Sequence, residues 1–145
     1  MVLVLISILV GVIVFFSSVI APTVFSSVDE KNAGLFLRAF FPKYYIFGII
    51  IGLLAILSAI LIEPTISQLE LSLILAILAM FIVSRLMIPS INKARDMGES
   101  AKKKFNQLHL LSVTLNFLAL IIGIILIYLI PVSYTHLTLP TKRIV

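Results

Sequence analysis

The sequence predicts an all-α integral membrane protein: an antiparallel bundle of four transmembrane helices, with a short interfacial helix between helices one and two. Three observations carry that expectation. Hydrophobic residues make up 61% of the chain and charged residues only 12%, against about 25% charged in an ordinary soluble domain. The mean hydropathy is +1.25. The apolar residues are gathered into runs long enough for a bilayer, whose hydrocarbon core takes about 20 residues of α-helix. Such a chain cannot cover itself with a polar surface, so lipid is the expected solvent for most of it.

The first span is placed at residues 2–20. No charged residue occurs before Asp29, and the run is almost entirely Val, Ile, Leu and Phe. A cleaved signal peptide would show a basic leading region and a shorter apolar stretch. Pro22 is expected to kink or end this helix, because proline removes an N–H and clashes with the preceding turn. In residues 29–43, Ala33, Phe36, Leu37, Phe40 and Phe41 recur at helical spacing while Lys31 and Arg38 point elsewhere, the pattern of a helix lying in the interface. Pro42 is expected to break it before the second span, residues 44–62, whose opening Tyr44 and Tyr45 suit the headgroup belt. The turn at 63–68 contains Pro64 and is long enough only for a helical hairpin.

The third span is placed at residues 69–88, with Glu70 and Arg85 inside it and Pro89 as its stop. Those two charges bound an apolar centre shorter than the roughly 30 Å core, so they must reach out to opposite headgroup regions, or Arg85 must find a partner inside the bundle. Residues 92–107 form a long polar stretch suited to a solvated or interfacial helix. The fourth span, residues 110–130, carries no charge. Residues 132–145 break the pattern. Back-translation of residues 132–141 matches the mosaic end and adapter of transposon-based sequencing libraries, so this tail is expected to be adapter-derived rather than native. Without it, Lys142 and Arg143 drop out, the net charge falls from +5 to +3, and His109 is the one histidine left.

Orientation follows from the other basic residues. Lys31, Arg38, Lys43, Arg85, Lys93, Arg95, Lys102, Lys103 and Lys104 all belong to the first and third connectors or their flanks, and the second connector has none. The positive-inside rule then puts both basic connectors in the cytoplasm and both termini outside.

Few residues invite chemistry. Gly48 and Gly52 form a GxxxG step, a spacing that lets helix backbones approach closely in lipid, here expected to serve packing within the bundle; Gly11 and Gly123 read the same way. Lys102, Lys103 and Lys104 lack interleaved aromatics, so loose attraction to anionic lipid is a better reading than nucleic acid. His109, Ser112 and Asn116 fall on one face of the fourth helix, and with Arg85 they form the candidate polar cluster of the bundle interior. No catalytic residue is expected. The sequence has no cysteine, no phosphate-binding glycine loop and no zinc-type ligand cluster.

LFLRAFFPKYYIFG (residues 35–48), SRLMIPSINKARD (84–96) and FNQLHLLSVTLN (105–116) together resemble the transmembrane-protein-205-like family, also called domain of unknown function 4149. The likeness covers residues 1–130, and APTVF at 21–25 fits its bacterial branch. The resemblance implies a four-helix membrane domain without an established biochemical activity. The expected function is a non-enzymatic transport or accessory component of a bacterial inner membrane, without a cofactor. The alternative is a redox or metal-handling protein in which His109 ligates haem or copper, for which one histidine per chain is a poor ligand set. A haem Soret band in the purified protein would favour that alternative.

Overall fold

The computed structural model describes the backbone of residues 1–138 and the side chains through Val132, so most of the tail at 132–145 lies outside the described side chains. Helix α1 (Val2–Phe15) passes through a single π-turn (Phe16–Ile20) into α2 (Ala21–Ser27). The wider turn has a local cause. Pro22 has no N–H to offer the Ser18 carbonyl, and the Ala21 N–H reaches back five residues to the Phe16 carbonyl.

Helix α3 (Glu30–Leu61) starts at Asp29, whose carboxylate accepts from the Asn32 N–H at 2.9 Å and from the Asn32 side-chain amide at 2.7 Å. Helix α4 (Gln68–Asp96) starts with a reciprocal capping box. The Ser67 hydroxyl accepts from the Glu70 N–H at 3.2 Å, and the Glu70 carboxylate accepts from the Ser67 N–H at 2.7 Å. Glu70 is thus fully buried while two orphan donors of the helix start are satisfied. Gly98 ends α4 with a φ of 61°, a left-handed conformation that glycine adopts without the Cβ penalty. One 3₁₀ turn (Gly98–Ala101) then leads into α5 (Lys102–Thr138).

Among the described residues, four helical stretches are long and apolar enough to cross a membrane: Val2–Ser27, Glu30–Leu61, Gln68–Asp96 and Gly98–Val132. The chain is a multi-pass membrane protein built as a helical bundle, with no strand among the described residues. In the bundle, α1 packs on α3 and α5, and α4 packs on the same two helices from the other side. Ile6, Leu9 and Ile13 meet Ala55, Ile74, Ile77, Phe81, Ala119 and Leu126 in the core. Ile50, Leu54, Leu75, Ile124 and Tyr128 are exposed on the outside. An apolar outer face is what lipid requires and water forbids.

Four sequence expectations change here. The interfacial helix is not a separate element, because residues 30–43 are the first turns of α3 and Pro42 lies inside that helix. Pro89 likewise lies inside α4 rather than ending it. Each proline costs one backbone hydrogen bond, but packing by neighbouring helices keeps such helices continuous in lipid. The polar stretch at 92–107 is not one helix but the end of α4, the Gly98 turn and the start of α5. Tyr44 and Tyr45, expected at the lipid-facing surface, are instead buried in the bundle.

The glycines divide by where they point. A Cβ on Gly48 would run into the Phe81 ring, and one on Gly52 would come within 3.2 Å of Leu78 Cδ1. Gly123 approaches Val10 Cγ2 in the same way, at 2.5 Å. These three serve helix contacts inside the bundle. Gly11 differs from its expectation, since it is exposed and a Cβ there would meet nothing within 4 Å.

Along the α3–α4 seam, Gly34 faces Arg95, Gly48 faces Phe81 and Gly52 faces Leu78. This register sets Pro42 and Pro89 at one level. Phe16, stacked on Phe40 with centroids 5.0 Å apart and tilted against Tyr44 at 5.3 Å, puts the π-turn at that level too. Three of the four spanning segments thus depart from regular α-helical hydrogen bonding at the same height.

Candidate functional site

At that height the bundle holds a cleft of about 650 Å³. Phe16, Ser17, Ala21 and Phe25 line it from the π-turn and α2. Leu37, Arg38, Phe41 and Tyr45 line it from α3, with Glu30 at the rim. Ile88, Ile91, Asn92 and Arg95 come from α4, and Phe105, His109, Ser112, Val113 and Asn116 from α5. Ala21, Phe41 and Ile88 are each the neighbour of a proline. Interrupted hydrogen bonding is a recognised cause of helix bending, and here it coincides with the place where the four segments separate enough to leave a cavity.

Two hydrogen bonds tie α5 to the inner wall. The Tyr44 hydroxyl donates to Asn116 Oδ1 at 2.8 Å, and the Tyr45 hydroxyl lies 2.8 Å from Ser112 Oγ. In lipid each such bond contributes about 0.6–2 kcal/mol. The aromatic layer of Phe16, Phe40, Phe41, Tyr44, Tyr45 and Phe81 seals the cleft from the core below, with Tyr44 and Tyr45 both close to the Phe81 ring.

The other end is polar and charged. Arg38 grips Asp96 with two contacts, Nη1 to Oδ2 at 3.3 Å and Nη2 to Oδ1 at 2.5 Å, and so bridges α3 to α4 at the rim. Arg95 is half-buried. Its guanidinium lies against Gly34, where a Cβ would come within 2.8 Å of Cζ, and 5.8 Å from the Phe105 ring centroid. Glycine at position 34 is thus what lets an arginine lie flat on α3. His109 stacks on Phe105 with centroids 5.7 Å apart.

Of the four residues grouped from the sequence, the cleft brings together His109, Ser112 and Asn116. Arg85 is half-buried beside Ser84 on α4 and does not line the cleft. The cationic lining comes instead from Arg38 and Arg95, which sequence reasoning assigned to connectors. Among the described residues no group of three or more His, Cys, Asp or Glu side chains converges into a metal site. The arrangement offers an apolar wall, a row of hydroxyl and amide groups, and guanidinium charge at one end.

Comparison with curated proteins and with solved structures gives no match. A family model does match, over residues 4–100, which takes in α1 through α4 and the turn after them. The α5 face bearing His109, Ser112 and Asn116 lies beyond the matched stretch. With two thirds of its length matched, the chain belongs to the family described as domain of unknown function DUF4149.

Proposed function

We propose that this chain is a non-enzymatic transport or accessory component of a bacterial inner membrane, and that its work is to take an amphiphilic small molecule into the cleft. The observation that carries this reading is the lining itself. An apolar wall of Leu37, Phe41, Ile88, Ile91 and Val113 adjoins a polar end of Arg38, Asn92, Arg95 and His109. Its volume lies in the roughly 300–1,000 Å³ range of small-molecule sites. Phe25 and Val113 are exposed at its edge, which favours access from the lipid side.

The reading includes the transmembrane-protein-205-like likeness, an antiparallel order of helices, and both termini outside with the basic connectors cytoplasmic. The α3–α4 pairings, in which rising numbers on one helix meet falling numbers on the other, support the antiparallel order. At about 1.5 Å per residue, α3 is longer than a hydrocarbon core. Its first turns, with Lys31 and Arg38, then lie in the interface, beside Lys102, Lys103 and Lys104 at anionic headgroups.

The test is binding of a fluorescent alkyl probe with an uncharged head to the purified protein. Val113→Trp, which fills the cleft, is expected to weaken binding at least tenfold. Ile124→Trp, on the outer face, is expected to leave it unchanged. Equal binding by both variants would place the probe in the detergent belt and end the proposal.

A further inference from the structure

We infer that the cleft selects an amphiphile with an oxyanion head, a carboxylate or phosphate on a single apolar chain, and that Arg95 is the residue that holds the head. This deepens the amphiphile reading and rests on it. The charges around the cleft are not equivalent. The Arg38 guanidinium is committed to Asp96 by two contacts. Arg95 carries the same five-donor fork yet forms no ion pair among the described residues; it lies against a glycine and an aromatic ring, and His109, Glu30 and Asp96 share its surroundings at the rim. A half-buried guanidinium without a counter-ion is costly at the edge of a bilayer, and a ligand oxyanion supplies what the fold withholds.

The surroundings favour that head. Asn92 stands one turn before Arg95 on α4, and His109 lines the cleft from α5, so amide and imidazole groups are available beside the guanidinium. Ile88 and Ile91 continue the α4 face towards the core and Val113 faces them from α5, giving the chain an apolar path away from the charge. Glu30 is the opposing influence. It lines the rim, is exposed, and disfavours an anion there, whereas the carboxylate of Asp96 is already neutralised by Arg38. A cationic head at Glu30 is therefore the competing outcome.

The experiment measures binding of three dansyl-alkyl probes with one chain length, bearing carboxylate, phosphate monoester or methyl ester heads, to the full chain in phosphatidylcholine nanodiscs. A trimethylammonium probe is the fourth arm. In the wild type, carboxylate and phosphate are expected to bind about tenfold or more tightly than the ester, as a charge-assisted hydrogen bond implies. Arg95→Gln is expected to erase that preference, bringing the acid-to-ester ratio to about one, and Arg95→Lys to keep part of it. The thermal midpoint of each variant without probe, compared with the wild type, establishes that it is folded. Repeating the assay with phosphatidylglycerol in the disc separates the sources: displacement identifies a bilayer lipid head as the natural oxyanion, and its absence a free single-chain amphiphile. An acid-to-ester ratio that survives in Arg95→Gln, or a preference for trimethylammonium, would overturn the inference and leave the amphiphile reading standing. Failure of the ester itself to bind the wild type would strike that reading instead.

Discussion

At the residue scale, the close contacts make graded predictions. Gly48→Leu must push a side chain into the Phe81 ring. Overpacking of this kind costs about 1–3 kcal/mol, so the thermal midpoint of the solubilised protein should fall clearly. Gly52→Ala meets only the end of Leu78, at 3.2 Å, and should do less. Gly11→Leu should do nothing. Unchanged melting in Gly48→Leu would mean that α3 and α4 do not meet as described. A second prediction concerns the cap at Asp29, held below its ordinary carboxylate value of 3.8 by the backbone N–H and then the side-chain amide of Asn32. A lowered folded pKa contributes stability that is complete above the ordinary value and is lost as pH falls through the lowered one. The difference in melting between wild type and Asp29→Ala should therefore be level at neutral pH and shrink in acid below that value. A difference that stays constant into strong acid would show that the carboxylate charge is not used. The GxxxG step was legible in the sequence because its spacing alone implies a face. The capping box was equally legible as Ser67 followed by Glu70 three positions on, yet hydropathy reasoning treated Glu70 as a charge to be exported rather than as a cap.

At the element scale, the prolines misled and then informed. Taking Pro42 and Pro89 as helix ends cut Arg38 off from Tyr45 and Arg95 off from Ile88, which hid the fact that each pair lines one cleft. On an uninterrupted α4, the positions 88, 91, 92 and 95 are a plain helical face. Local propensity lost to tertiary packing, since the helices that contain both prolines pack along their length against neighbouring helices. Pro89→Ala restores an N–H for the Arg85 carbonyl and removes a clash. It should raise the thermal midpoint, straighten α4 and reduce the affinity of the uncharged alkyl probe several-fold. Higher stability with full binding would show that the cleft does not depend on the interrupted helix.

At the scale of the whole molecule, composition and run length were enough for a multi-pass helical membrane protein, because hydrocarbon leaves a chain few ways to satisfy its backbone. They gave His109, Ser112 and Asn116 as one face of one helix. They could not give the cleft, which depends on how far four helices separate at one height. Orientation is tested by reporter fusions at Thr65 and Met97, which should report opposite compartments, with Met97 cytoplasmic; the same compartment for both would contradict four spans. The central claim, that the basic end of the bundle houses an amphiphile site, is tested most directly by photolabelling. An alkyl-diazirine probe is cross-linked to the protein in nanodiscs and the modified residues are mapped by peptide mass spectrometry. The account predicts labels on Leu37, Phe41, Ile91 and Val113, suppressed by excess unlabelled amphiphile. Labels confined to the outer-face residues Ile50, Leu54, Ile124 and Tyr128, and insensitive to competitor, would contradict it.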